Sequence, residues 1–322
     1  MYKRQVNGQW AEDFQPVHDT DEEGGFVRED AGFRNWITAD GRPGPSGEGG
    51  FVAEPGRYHL YVALICPWAS RTLMVRALKG LQDAVSVTVL DPRLHEKVWR
   101  FGGDATALPG SEADPHYGAE FLYELYLRAR PDYTGQITVP VLWDKQRETI
   151  VSNESSEITR MLNNAFGAFA SNDLDLYPQE LRDEIDAVNA LLYHRFNNGV
   201  YRAGFATTQV AYDKAVRDVF DSLDFIERRL DGQDFLVGNR LTEVDVRAFV
   251  TLVRFDLAYF GLFKTNLRQV RDYRHISDYI QRIHDLPGIA GTVNPDHIKA
   301  GYYSIRSLNP SGIVPAGMAA AW

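Results

Sequence analysis

From Tyr58 to Leu64 the sequence YHLYVAL alternates like a strand, and the period then changes. Between Trp68 and Leu81 apolar residues fall at Ala69, Leu73, Ala77 and Leu81, a spacing that predicts a helix. AVSVTVL (84–90) predicts a second strand. After a long insertion (91–118) a helix is expected near 119–129. ITVPVLWD (137–144) predicts a third strand, and the four polar residues Lys145 to Glu148 turn it into TIVS, a hairpin signal. In NESSEITRML, Ser155 or Asn153 is placed to cap the helix that follows. The resulting order predicts a sheet with parallel and antiparallel parts and helices on its faces.

The flanking regions differ in pattern. Residues 1 to about 55 are rich in Gly, Asp and Glu and predict an irregular arm over the domain surface. Its Gly-rich end, GRPGPSGEGG, lacks the Gly-Lys-Ser/Thr ending of a phosphate loop. GAFASNDLDLYP (167–178) reads as a linker, and 179 to about 286 as amphipathic helices. The clearest helix start there is Thr242-Glu243-Val244-Asp245, a relative of the capping box. From Asn294 onward the chain reads as loop with one short helix. The expected organisation is an arm (1–55), a mixed domain (56–166), a helical domain (167–290) and a tail (291–322).

Composition narrows the function. A chain of 322 residues with 44% hydrophobic residues suits two compact units. A net charge of −10 with no Lys/Arg run argues against a nucleic-acid partner. No apolar stretch approaches membrane-spanning length, and the start MYKRQVNGQWAEDFQ has no signal-peptide hydrophobic region. One cysteine suits a reducing compartment, so the cytoplasm is expected. The eight histidines show no ligand-like spacing, so no metal is expected.

That one cysteine, Cys66 in LICPWASRTL, falls at a strand-to-helix junction with Pro67 suited to the first helical position. Helix-start amides and the helix dipole would stabilise a thiolate there. The alternative is a buried structural cysteine. A dithiol enzyme would carry a second cysteine at Ala69, so any mixed disulfide on Cys66 must be released by an external thiol. Val139-Pro140 within a strand-like run is either an edge proline or a cis bond that opens Val139 to a peptide-like ligand. Glu154-Ser155 at a helix start is either an ordinary cap or a pocket for the zwitterionic end of an amino acid.

Cys66-Pro67-Trp68-Ala69, Thr138-Val139-Pro140-Val141-Leu142-Trp143-Asp144 and Ser152-Asn153-Glu154-Ser155 together resemble the glutathionyl-hydroquinone reductases, the xi class of glutathione transferases. The resemblance continues through NNGVYRAGFATTQ (197–209), LTEVDVR (241–247), TLVRFD (251–256) and VNPDHIK (293–299). It implies a glutathione transferase fold: an α/β thioredoxin-like N-terminal domain, then an all-α C-terminal domain, in a homodimer. It implies reduction of glutathionyl-hydroquinones, small aromatic thioethers, with glutathione as co-substrate. By the same resemblance Cys66 would be the nucleophile, and Trp99 would border the glutathione pocket. Val139 would bind the cysteinyl part, and Glu154 with Ser155 the γ-glutamyl end. Tyr201 and Tyr302 would line the pocket for the aromatic substrate and donate to its developing oxyanion.

One position departs from the family pattern. Several members carry a basic residue where this chain has Gln136, and an arginine there could pair with a carboxylate of the thiol. Arg128 and Arg130 are the nearby candidates to compensate, and another low-molecular-weight thiol is the alternative co-substrate. Two other functions share the same features: a general thioltransferase or dehydroascorbate reductase, and a ligand-binding scaffold without turnover.

Overall fold

The computed structural model describes residues 4–11, 19–317 and 320. They belong to two compact units, one of Met1–Val17 with Glu29–Leu174 and one of His18–Arg28 with Asp175–Trp322. The arm is less irregular than its composition predicts. It holds short strands β1 (Arg4–Val6), β2 (Gln9–Trp10), β3 (Asp19–Thr20) and β4 (Phe26–Val27), and it contributes to both units.

In the first unit, strand β5 (Tyr58–Val62) leads through helix α1 (Pro67–Leu78) to β6 (Val85–Val89), and the two strands pair in parallel. Helix α2 (Tyr123–Ala129) follows, then β7 (Gly135–Gln136), β8 (Val141–Asp144), β9 (Thr149–Ser152) and helix α3 (Ser155–Asn164). The main sheet has the order β6-β5-β8-β9, antiparallel from β5 onward. The strand expected from Ile137 starts only at Val141, because Pro140 cannot donate to a ladder. Strand β7 instead pairs with β1 of the arm. The hairpin turn after β8 is organised by Asp144, which accepts from the Gln146 and Arg147 amides and holds the buried Arg57 at 2.5 Å.

Helix α1 stops at Lys79 because Gly80 turns left-handed at φ +64°. A Cβ at Gly80 would also lie 1.8 Å from the Ser171 hydroxyl. Strand β5 is buried along its whole length, so its polar residues need interior partners. His59 finds them on β6, with Nδ1 2.7 Å from Ser86 Oγ and Nε2 2.9 Å from Thr88 Oγ1. Burial pushes its pKa down to about 3, with the neighbouring His116 acting in the same direction.

The second unit is helical, as the pattern predicts. It comprises α4 (Arg182–Leu192), α5 (Gly199–Gly204), α6 (Gln209–Arg229), α7 (Glu243–Arg254), α8 (Phe260–Leu262), α9 (Arg274–His284) and α10 (Pro295–Tyr303). Helix α10 is the short helix expected in the tail. Among the described residues no helix is long and apolar enough to cross a membrane. The capping box forms at the start of α7, where Asp245 Oδ2 accepts from the Thr242 amide at 2.8 Å. Its other oxygen accepts from the Leu236 amide and the Tyr279 hydroxyl, both at 2.9 Å. One buried carboxyl therefore ties the α7 start to the preceding loop and to α9.

Asp245→Ala leaves these buried donors without an acceptor, at about 1–3 kcal/mol each before relaxation. A loss of about 3 kcal/mol in unfolding free energy is expected from denaturant titration. A change below about 1 kcal/mol would remove the carboxyl from its central place.

His59 sets a pH dependence. Its pKa is depressed on folding, so the stability due to neutral burial is present above about pH 6.5 and is lost as pH falls toward 3. His59→Gln, which cannot titrate, should lose less melting temperature than wild type between pH 6.5 and 4. Parallel curves for the two proteins would contradict this.

Candidate active site

Cys66 is the N-cap of α1, in extended conformation at φ −78° and ψ 116°, with Pro67 beginning the helix. Its amide donates to the Ala63 carbonyl at 2.9 Å, which closes the turn out of β5. The thiol caps no helix amide and stands half-buried at the positive end of the α1 dipole, in no disulfide. Its Sγ lies 3.5 Å from the Val139 carbonyl oxygen, to which the S–H donates. Cys66 is intermediate in exposure, whereas the structural cysteine of the alternative reading would be fully enclosed.

The Val139–Pro140 bond is cis, one of the two arrangements open from sequence. Among the described residues the Val139 amide meets no acceptor. Thr138, just before it, is held by Tyr126, whose hydroxyl donates to the Thr138 carbonyl at 2.8 Å and accepts from its amide at 3.2 Å. Burial pushes the Tyr126 pKa up to about 12, so the phenol keeps its proton for that bond. Asn153 completes the clamp. Its Nδ2 donates to Thr138 Oγ1 at 2.9 Å and to the Tyr126 hydroxyl at 3.2 Å, and its Oδ1 accepts from the Phe33 amide at 3.0 Å.

With Asn153 so engaged, neither it nor Ser155 caps α3. The cap is Glu154, whose Oε1 accepts from the Ser156 amide at 2.9 Å and the Ser156 hydroxyl at 2.7 Å. Ser155 is already helical. Its amide and hydroxyl have no partner among the described residues, and Glu154 Oε2 accepts no bond there. Helix start α3 thus presents two donors and one acceptor oxygen together, which suits a zwitterionic group.

Trp99 is nearly buried and gives its indole N–H to the Ile137 carbonyl at 3.1 Å, so it braces the segment that ends in Val139. Gln136 lies in β7, its backbone opposite Arg4, and its carbonyl accepts from Tyr133. The nearby arginines are engaged elsewhere. Arg128 pairs with Glu148 at 3.0 Å and stacks on Tyr117, and Arg130 lies over the Phe33 ring.

Tyr201 on α5 and Tyr302 on α10 belong to the second unit, and their hydroxyls meet at 2.7 Å. Tyr259, which the sequence reading did not single out, joins them with its hydroxyl 2.8 Å from that of Tyr302. It lies in RFDLAYFGLF, a run whose pattern is that of plain core. Phe263 and Phe205 pack around Tyr201, and a Cβ at Gly204 would lie 2.4 Å from the Phe263 ring, so only glycine lets α5 approach it. The arm segment of this unit adds Phe26 and Arg28, with the guanidinium 5.2 Å from the Tyr201 ring centre and bonded to Asn198. Among the described residues no cluster of His, Cys, Asp and Glu could hold a metal ion.

Residues 65–165 match the family model of the glutathione S-transferase N-terminal domain, and residues 209–282 that of the C-terminal domain. The chain is 50% identical to the glutathionyl-hydroquinone reductase YqjG of Escherichia coli, over 97% of this chain and 94% of that one. It is 46% identical to the glutathionyl-hydroquinone reductase PcpF of Sphingobium chlorophenolicum, over 98% and 96% of the two chains. The glutathione-bound structure of the E. coli protein superposes with a TM-score of 0.89 at 48% identity, covering 98% of this chain and 95% of that one. With its one thiol at the start of α1 and this match along nearly its whole length, the chain belongs to the glutathionyl-hydroquinone reductases, the xi class of glutathione transferases.

Proposed function

We propose that the protein reduces glutathionyl-hydroquinones to hydroquinones, with glutathione as co-substrate, through a mixed disulfide on Cys66. The observation that carries this is the solitary thiol at the α1 start beside the open Val139 amide, in a chain of this family. The Val139 amide is suited to the cysteinyl carbonyl of glutathione. The Ser155 amide and hydroxyl are suited to the γ-glutamyl carboxylate, and the open Glu154 oxygen to its ammonium group. Trp99 borders the pocket and fixes its floor.

In the first half-reaction the Cys66 thiolate attacks the sulfur of the conjugate in its ketone tautomer. A sulfur–sulfur bond forms and the carbon–sulfur bond breaks. The electron pair passes into the ring and appears as negative charge on the quinol oxygen, which is then protonated. Tyr201 and Tyr302 are assigned to donate hydrogen bonds to that oxygen. Burial, with Tyr201 and Tyr259 alongside, holds the Tyr302 pKa well above the ordinary phenol value, so its proton stays in place at physiological pH. In the second half-reaction glutathione attacks the mixed disulfide, releasing glutathione disulfide and restoring Cys66, a ping-pong scheme. We assign the enzyme to the cytoplasm, which its single cysteine suits, and to a homodimer of the kind the family implies.

Cys66→Ala should abolish turnover of glutathionyl-menadiol without lowering the melting temperature appreciably. Wild-type protein given the conjugate alone should gain the mass of one glutathionyl group. Retention of more than a few per cent of the rate by the alanine variant would sink the covalent scheme. A faster wild-type rate on dehydroascorbate than on glutathionyl-menadiol would favour a general thioltransferase.

Tyr201→Phe should lower kcat by about 10²-fold, less where Tyr302 covers for it, with a smaller change in KM. The variant carrying Phe at both positions 201 and 302 should be slower than either single one. Wild-type rates for that double variant would reduce both residues to packing.

A further inference from the structure

Between β7 and β8 the backbone at Ile137, Thr138 and Val139 lies in no strand, yet its carbonyls are not left to solvent. Gln136, at the end of β7, accepts from the Tyr133 hydroxyl at 2.9 Å. Ile137 accepts from the Trp99 indole at 3.1 Å, and Thr138 from the Tyr126 hydroxyl at 2.8 Å. Val139 faces the Cys66 thiol at 3.5 Å. Side chains here do what ladder partners do for β8.

Of these donors, Tyr126 is the one that bears on the open amide. The Thr138 carbonyl and the Val139 amide belong to one planar trans peptide, in which C=O and N–H point in opposite directions. A carbonyl fixed on Tyr126 therefore aims the Val139 N–H along one line, away from α2. Among the described residues that N–H meets no acceptor. Accepting a hydrogen bond also polarises the peptide, which makes its N–H a stronger donor.

The phenol is fully committed to this task. Tyr126 is wholly buried, with the Phe33 and Tyr133 rings against its own at 5.8 and 5.0 Å. Its proton goes to the Thr138 carbonyl, and its oxygen accepts from the Thr138 amide and from Asn153 Nδ2, both at 3.2 Å. The other oxygen in reach, Thr138 Oγ1 at 3.3 Å, is more distant and already accepts from Asn153 at 2.9 Å. Thr138 is thus held at its amide, its carbonyl and its hydroxyl.

We infer that Tyr126 is a positioning residue for the thiol, aiming the Val139 N–H at the cysteinyl carbonyl of glutathione. Wholly buried, it touches neither glutathione nor the aromatic substrate. It sets affinity for the tripeptide and leaves the chemistry at Cys66 alone. This role rests on the Val139 contact proposed above.

Isothermal titration of the full chain with two ligands tests it. One is S-methylglutathione. The other is its analogue with a trans carbon–carbon double bond in place of the Cys–Gly peptide, which removes the cysteinyl carbonyl. Tyr126→Phe should bind S-methylglutathione about three- to tenfold more weakly than wild type, the effect of one neutral hydrogen bond. Both proteins should bind the analogue alike, because the aimed amide has nothing to meet there. With glutathionyl-menadiol, KM should rise by a similar factor while kcat changes less than about twofold, the signature of a contact kept from ground state to transition state. Thr138→Val removes Oγ1 alone and should shift the same balance by a smaller factor; it carries the test should Tyr126→Phe not fold. Given a wild-type preference for S-methylglutathione, unchanged affinity in Tyr126→Phe, or an equal loss for both ligands, would overturn the role of Tyr126 and leave the Val139 contact standing. Wild-type protein that binds the two ligands alike would remove the Val139 contact, and the role of Tyr126 with it.

Discussion

The Asn153 side chain is the clamp on which the thiol-binding geometry depends. Its amide offers four hydrogen bonds at most, and three are made, to the Phe33 amide, the Tyr126 hydroxyl and Thr138 Oγ1. These partners come from the arm, from α2 and from the segment ending in Val139. The residue after Asn153 is the α3 cap, and the one after that carries the open amide and hydroxyl. Two sets of groups proposed for neighbouring residues of one tripeptide, the cysteinyl and the γ-glutamyl, are thus fixed by a single buried amide. A networked polar group of this kind does more than its net energy suggests, because each partner would otherwise be an unsatisfied buried group.

The same arrangement limits what Cys66 can do at rest. While protonated, the thiol donates to the Val139 carbonyl and is held beside the segment that the peptide-like ligand would use. Ionisation removes that donor and leaves an anion facing a carbonyl oxygen, which repels it. The thiolate is then supported from the other side, by the α1 start, where Pro67 takes one of the orphan-amide positions and the helix dipole supplies the remainder. Attack on a bound sulfur follows from this balance, since the anion is stabilised by a helix end and the chain has no second cysteine to capture it.

Legibility in the sequence followed the range of the interaction. The β5–α1–β6 unit, the β8–β9 hairpin, the α7 capping box and the helix in the tail were readable because their signals lie within a few residues. The thiol's setting was readable for the same reason. The cap of α3 was misread as Ser155 or Asn153, because the residue that decides it is Asn153 itself, drawn away by Phe33, 120 positions earlier. The arm's pairing with β7 and its part in both units were invisible, since a Gly- and acid-rich segment gives no strand signal. Tyr259 could not be told from core. A hydroxyl inside an apolar run announces nothing until the fold brings two others to it from α5 and α10.

Gln136 then takes its place in a consistent pattern. A basic residue there would meet a carboxylate as a charge, whereas this chain offers glutamine, and Arg128 and Arg130 are paired with Glu148 or stacked on aromatic rings. The donors proposed for the substrate are the Val139 amide, the Ser155 amide and hydroxyl, and the tyrosine hydroxyls, all of them neutral, and the one charged group proposed for it is the Glu154 carboxylate. Neutral donors are weaker singly than cations, but they carry no long flexible side chain to immobilise and attract no unrelated anion. They act strongly when others hold them in place, as Asn153 and Tyr126 hold the segment up to Val139 and as Tyr259 and Tyr302 hold Tyr201. A protein of net charge −10 can bind an anionic conjugate in this way because salt screens distant charges within about 8–10 Å, while oriented dipoles act at contact.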